Sequence, residues 1–181
     1  MIDLAGFNNS NFHRGAPFWK ELLWRMIQQS LFNLEWIKMY KFKSSILKIF
    51  GSKVASDVVF KPKAKITFPW KFSIGKNSWI GEEVWLLNLE QITIGSDVCI
   101  SQRTFLCTGS HDWSKSTFDL ITKPITIEDG VWICANVFVG PGVTIGKNTV
   151  VKVGSVVTHD LPPNMICAGN PCCPVKSRIV E

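Results

Sequence analysis

Aliphatic side chains recur in this chain every six residues, and that step leaves few folds open. The longest run is Ile127, Ile133, Val139, Ile145, Val151 and Val157. Shorter runs are Ile74, Ile80, Leu86, Ile92, then Ile94, Ile100, Leu106, and earlier Val54, Phe60, Ile66, Phe72. A step of six matches neither the 3.6-residue helix nor long alternating strands. It matches short flat strands joined by regular corners. Three such sides make an 18-residue triangular coil, and coils stack as parallel strands about 4.8 Å apart. The aliphatic residue points into the prism, where branched shapes pack well. Four residues on stands a small or branched residue: Ser78, Val84, Val98, Thr104, Val131, Val137, Val143, Thr149 and Ser155. Directly after the aliphatic residue glycine is frequent, at Gly75, Gly81, Gly95, Gly140 and Gly146. Its expected use is to tolerate the unusual dihedrals of a corner.

The breaks in phase locate insertions. Val54, Ile74 and Ile94 are 20 apart, two more than a plain coil, whereas Ile127 to Ile145 is 18. Leu106 to Ile127 is 21. If the third side of that coil is replaced, residues 109–124 form an extruded loop. The chain therefore reads as a helical extension over 1–50 and a parallel β-helix over 51–181. In the extension, Trp19, Leu22, Leu23, Met26 and Ile27, with Leu31 and Leu34, follow a helical stripe. Lys20, Glu21, Arg25, Gln28, Gln29 and Asn33 take the other side. A second, more basic segment runs from Glu35 to Phe50. The expectation is that these helices cover the open end of the prism, as solenoid caps must. The alternative is an aromatic, basic surface for a membrane or polymer.

Charge divides the chain the same way. Residues 1–65 hold 11 Lys/Arg and 4 Asp/Glu, a net +7, and residues 66–181 hold 9 and 10, a net −1. Such a patch suits nucleic acid, anionic lipid or acidic polysaccharide, or is simply a solvated face. The six cysteines form no C-x-x-C pair, which argues against a zinc ribbon. They read as reduced thiols of a cytoplasmic protein. The start, Met-Ile-Asp-Leu-Ala-Gly, lacks the basic and apolar regions of a signal peptide. The longest uncharged stretch, Gly130 to Gly146, has four glycines and a proline and does not suit a membrane helix.

Several motifs together carry a resemblance. These are Leu106-Cys-Thr-Gly-Ser-His111-Asp, Lys123-Pro-Ile-Thr-Ile-Glu-Asp-Gly-Val-Trp132-Ile, Pro141-Gly-Val-Thr-Ile-Gly146, Gly154-Ser-Val-Val-Thr158 and Gly169-Asn-Pro171. Over about residues 74–180 the chain resembles the maltose, galactoside and nodulation-sugar O-acetyltransferases. With Asp3-Leu-Ala-Gly-Phe7, Ile66-Thr-Phe-Pro-Trp-Lys71 and Ile100-Ser-Gln102 it is more similar still to colanic-acid-type exopolysaccharide acetyltransferases, over nearly its whole length. The resemblance implies a left-handed parallel β-helix, although most parallel crossovers are right-handed. It also implies a homotrimer with acetyl-coenzyme A in grooves between prisms, a carbohydrate acceptor, and no nucleic-acid or metal requirement.

His111 occupies the position of the family's catalytic histidine. Acylating an alcohol requires removing its proton as the C–O bond forms, and neutral imidazole suits that task. For coenzyme A the resemblance implies Trp132 near the thioester. Ala135, Val153 and Gly154 would lie along the pantetheine arm, and Thr158, His159 and Lys176 toward the adenosine phosphates. Two departures stand out. His159 replaces the usual lysine, and Cys173 stands where some relatives have arginine. Asn88, Asp112 and Trp113 are candidates for the acceptor, with Asp119 as a further orienting group. His13 is a poorer candidate for the base. Two other classes compete. A zinc β-helix enzyme needs three histidine ligands, and His13, His111 and His159 give no cluster. A non-catalytic polymer-binding scaffold does not need the His111–Trp132 context. An amino-sugar, small-sugar or serine acceptor is the nearest variant of the first reading.

Overall fold

The computed structural model describes residues 2–10, 12–32 and 40–179. Residues 53–177 form a prism with three sheets as faces. The first face stacks Lys53–Val54, Phe72–Ile74, Ile92–Ile94, Ile125–Ile127 and Thr144–Ile145. The second stacks Val59–Phe60, Trp79–Ile80, Cys99–Ile100, Trp132–Ile133, Val150–Val151 and Met165–Gly169, with Cys172–Ser177 closing it antiparallel. The third stacks Lys65–Ile66, Trp85–Leu87, Phe105–Cys107, Phe138–Val139 and Val156–Val157.

The registers reproduce the six-residue ladders. Val54, Ile74, Ile94, Ile127 and Ile145 align on one face, and Phe60, Ile80, Ile100, Ile133, Val151 and Cys167 on the next. Ile66, Leu86, Leu106, Val139 and Val157 align on the third. All are buried and form one continuous core. Burying a Val, Leu or Ile side chain contributes about 1.5–3 kcal/mol, so these rungs dominate stability. The small polar residues of the second ladder fill the corners. Ser78 Oγ donates to Gly95 O at 2.9 Å and Thr104 Oγ1 to Cys134 O at 2.9 Å, so neither buried hydroxyl is orphaned.

The glycines that follow the aliphatic residues serve a different purpose from the expected one. None of Gly75, Gly81, Gly95, Gly140 and Gly146 has positive φ. Gly75, Gly81, Gly95 and Gly146 are needed where coils touch, whereas Gly140 has ordinary room for a Cβ. A Cβ on Gly75 would sit 2.5 Å from the backbone of Gly95 and Ser96. The left-handed backbone comes two residues later, at Asp57, Lys63, Asn77, Glu83, Asp97, Arg103, Asn136 and Asn148, or at glycines such as Gly154. Asn and Asp tolerate that region best among residues with a Cβ.

The N-terminal cap also departs from expectation. Helix α1 spans Phe18–Ile27 and runs into a π-helical turn over Gln28–Phe32, and α2 spans Tyr40–Ile49. The apolar stripe of α1 faces outward, because Trp19, Leu22, Leu23 and Met26 are exposed. Its buried residues are Glu21 and Trp24. Trp24 Nε1 donates to Ile66 O at 2.7 Å, and Gln28 Oε1 accepts from Ile66 N at 2.7 Å. Glu21 is paired with Arg14 and Arg25. Polar bonds to the first coil thus orient α1, and the ring of Trp24 packs on Phe32 and Phe50. Lys43 of α2 is buried and donates to Phe32 O and Phe60 O, covering the first coil. Leu34 and Asn33 lie outside the described residues, as does the side chain of Leu31. Residues 2–10 and 12–17 are not helical but form an arm that leads to the loop side of the prism.

Candidate active site

The edge between the third and first faces is where the regular coil is interrupted. After Phe105–Cys107 the chain leaves the prism as a hairpin, with Gly109–His111 antiparallel to Leu120–Thr122 and His111 opposite Leu120. It returns through Lys123, whose N–H donates to Thr108 O at 2.9 Å. His111 is half-buried. Its Nδ1 lies 2.8 Å from Phe118 O. A carbonyl oxygen only accepts, so Nδ1 carries the proton and the Nε2 lone pair of the neutral ring is left open. The imidazole stacks on Phe118 at 4.2 Å and 3°, and Phe7 meets it edge-on at 5.6 Å. Phe118 holds a left-handed backbone with φ 51°, a cost of about 1 kcal/mol that the hairpin sustains to aim this carbonyl.

The loop carboxylates are occupied with the loop itself. Asp112 Oδ1 accepts from the N–H and hydroxyl of Ser114, and these bonds hold its carboxyl below the usual range. Asp119 accepts from Thr117 Oγ1 and Lys115 Nζ. Trp113 is 82% exposed at the tip.

Asn88, a candidate for the acceptor, is held by backbone groups. Its side chain is fully buried. Oδ1 accepts from Phe68 N at 2.9 Å, and Nδ2 donates to Phe68 O at 2.6 Å and Lys71 O at 3.0 Å. Both amide protons are consumed, which makes it a clamp between two corners rather than a free ligand.

The remaining candidates fall into two groups. Ala135, Val153 and Gly154 lie at the edge between the second and third faces, where Gly154 N donates to Ala135 O at 3.1 Å. Gly154 has φ +71° and open space around its missing Cβ. Trp132 stands half-exposed on the second face, its Nε1 donating to Ser101 Oγ at 3.0 Å, and Lys176 is exposed on the last strand of that face. Thr158 and His159 sit at the other edge, the one that carries His111, with Thr158 Oγ1 3.0 Å from His159 Nδ1. In one protomer His111, Thr158 and His159 share the edge between the third and first faces, and Trp132 stands on a separate face.

The arm was missed in the sequence, although Asp3-Leu-Ala-Gly-Phe7 marks its docking segment. Asp3 Oδ1 accepts from Ala5 and Gly6 N–H, and Asp3 N donates to Ser116 O at 2.8 Å, locking the arm to the hairpin. Lys71 Nζ donates to His13 O and Leu89 O, and Trp70 Nε1 to Arg14 O. Arm, hairpin and corner enclose a cavity of about 630 Å³ lined by Asn8, Ser10, His13, Lys71, Glu90 and Asp119, among others. His13 is thus on a cavity wall. Burial lowers the Lys71 pKa and Glu90 pulls it back up. Among the described residues no three His, Cys, Asp or Glu side chains group as metal ligands.

Comparison with known proteins agrees with this architecture. Residues 124–159 match the family model described as bacterial transferase hexapeptide (six repeats). The chain is 41% identical over 179 residues to WcaF of Escherichia coli K12, named as a colanic acid biosynthesis acetyltransferase, covering 99% of this chain and 98% of that one. It is 33% identical over 133 residues to the galactoside O-acetyltransferase of Escherichia coli K12, covering 72% of this chain and 66% of the relative. A similar solved structure is the hexapeptide-repeat acetyltransferase VCA0836 of Vibrio cholerae complexed with acetyl-coenzyme A. It has a TM-score of 0.81 at 28% identity, over 89% of this chain and 88% of that one.

Proposed function

Because the chain belongs to the hexapeptide-repeat acetyltransferases, we propose that it transfers an acetyl group from acetyl-coenzyme A to a carbohydrate hydroxyl of an exopolysaccharide precursor, with His111 as general base. The observation that carries this reading is the Nδ1–H···O=C bond to Phe118, which leaves the lone pair of the neutral ring on Nε2. Nε2 takes the acceptor hydroxyl proton as the oxygen attacks the thioester carbonyl. The tetrahedral intermediate collapses, the C–S bond breaks, and the imidazolium returns its proton to the departing thiolate. Products are the acetyl ester and free coenzyme A.

Direct transfer is favoured over an acetyl-enzyme. Cys107, four residues from His111, is buried, bonds Gly109 O through Sγ, and has its thiol pKa pushed up by burial. Such a thiol is a poor nucleophile. The cavity against the hairpin, with Asn8, His13, Lys71 and Glu90 beside the apolar Phe12 and Leu120, has the room and the mixed wall for a sugar-sized acceptor. Asp112 and Trp113, at the hairpin tip, remain candidates to frame it.

A homotrimer is part of the proposal. Trp132, Ala135, Val153, Gly154, Thr158, His159 and Lys176 would line coenzyme A in a groove closed by the hairpin of a neighbouring protomer. Two observations support this: the sites of His111 and Trp132 lie apart in one chain, and Trp79, Trp85, Trp132 and Val153 are exposed on the faces between them. We place the reaction in the cytoplasm, in keeping with six cysteines that form no disulfide. Any membrane contact falls to the N-terminal helices and is independent of the transfer chemistry.

The test is acetyl-coenzyme A turnover across a panel of sugars, with coenzyme A binding measured in parallel. His111→Ala should keep coenzyme A binding and lose about 10²–10⁴ in turnover. Equal turnover in both proteins would remove His111 from the mechanism. Activity confined to an amino sugar or serine would move the acceptor and leave the chemistry.

A further inference from the structure

The outer face of α1 is built the wrong way round for a helix that only caps a core. A surface helix normally turns its apolar stripe inward. Here Phe18 is 74% exposed, Trp19 65%, Leu22 49%, Leu23 44% and Met26 62%. The inner face instead holds Glu21, neutralised by Arg14 and Arg25. Five large apolar side chains on one ten-residue helix are a patch, not scattered exposure.

The surroundings say what kind of partner covers it. The N-terminal 65 residues carry a net +7 against −1 in the remainder. Beside the patch Arg25 remains 62% exposed while paired with Glu21. On α2, among the described side chains, the exposed ones are Lys41, Phe42, Ser45, Lys48 and Ile49, again apolar and basic together. Lys41, Lys48, Asp57 and three serines, with the apolar Ala55, Val58 and Val59, line a groove of about 500 Å³ that again mixes apolar wall with ammonium groups. A second copy meeting this face through a two-fold would set basic rim against basic rim, which repels, and the homotrimer proposed above uses the prism faces that carry Trp79, Trp85 and Trp132 rather than α1. A bilayer bearing anionic headgroups satisfies both halves. The apolar side chains enter the acyl boundary, Trp19 lies at headgroup depth, and the lysines meet phosphates.

We propose that the outward face of α1, with the exposed lysines Lys41 and Lys48 of α2, docks the protein on an anionic phospholipid surface. This goes beyond acyl transfer and does not depend on it. No helix among the described residues is long and apolar enough to cross the membrane, so contact of this kind is made from one side.

The experiment is sedimentation of the full chain with vesicles of phosphatidylcholine alone and of phosphatidylcholine mixed with phosphatidylglycerol. Binding is expected to the mixed vesicles and to weaken as salt rises. The double substitution Trp19→Gln with Leu23→Gln alters two exposed side chains and should keep the thermal midpoint. It should weaken binding at least about tenfold through lost apolar burial. Lys41→Gln and Lys48→Gln should each cost about fivefold. Turnover on a soluble acceptor should be unchanged in all of them, so vesicle binding and catalysis fail separately. The proposal is overturned if the wild type ignores mixed vesicles or if the double substitution binds them equally well. A fall in oligomeric mass caused by the double substitution, without vesicle binding by the wild type, would assign the face to a second copy instead.

Discussion

Replacing Asn88 by alanine separates a structural clamp from a substrate contact. The side chain is fully buried and makes three bonds to backbone, at 2.9 Å from Phe68 N and 2.6 and 3.0 Å to Phe68 O and Lys71 O. After truncation Phe68 O keeps its bond from Lys71 N at 2.9 Å. Phe68 N–H and Lys71 O are left without a partner. Each unsatisfied buried group costs about 1–3 kcal/mol; Lys71 O lies at a half-buried corner where water can reach it, so the two together are expected at the lower end, about 2–4 kcal/mol. For a chain of this size that lowers the thermal midpoint by roughly 5–15 °C. The assay is thermal unfolding followed by circular dichroism, alongside KM for the acceptor measured well below the midpoint. Stability should fall and KM should stay within about twofold, since a uniform substrate contact is what KM would report. A midpoint within a degree of wild type, together with a KM raised tenfold, would refute the clamp and restore Asn88 to the acceptor site.

Two glycines should respond unequally to the same methyl group. Gly75→Ala drives a Cβ to 2.5 Å from neighbouring backbone and should cost at least about 2 kcal/mol in chemical denaturation, whereas Gly154→Ala, with φ +71° and open space, should cost about 1 kcal/mol and chiefly raise KM for acetyl-coenzyme A. Equal losses would show that close coil approach is not what Gly75 provides. Burial raises the thiol pKa of Cys107, Cys134 and Cys99, and that of Cys167 to about 11. At pH 7 an alkylating reagent followed by mass spectrometry should therefore modify exposed Cys173 well before Cys107 or Cys167, with Cys107 labelling rising as pH increases. Prompt labelling of Cys107 at neutral pH would contradict the burial argument and reopen a covalent intermediate.

The face geometry of the prism was legible in the sequence because each coil is a local repeat that contacts only its neighbours. A six-residue step therefore states both the inward side chain and the register, as the alignment of Ile74 with Ile94 and of Ile133 with Val151 shows. The interruption after Leu106 was equally visible, since an insertion breaks the period. The conformational role of the glycines was misjudged because composition shows that a corner is special without showing whether torsion or close approach is the constraint.

The arrangement around His111 needed the tertiary structure. The Phe118 carbonyl that fixes its tautomer lies across a hairpin, and Phe7 arrives from an arm about a hundred positions away in sequence. The orientation of α1 is the clearest case. Periodicity identified the stripe of Trp19, Leu22, Leu23 and Met26, but a helix has two sides, and the sequence cannot say which one meets the core. That was decided by Ile66, whose backbone bonds Trp24 and Gln28, and by Arg14, which with Arg25 makes burial of Glu21 tolerable. Local pattern determines which residues travel together. Only partners brought from distant parts of the chain determine whether a polar side can be satisfied inside and an apolar one left facing out.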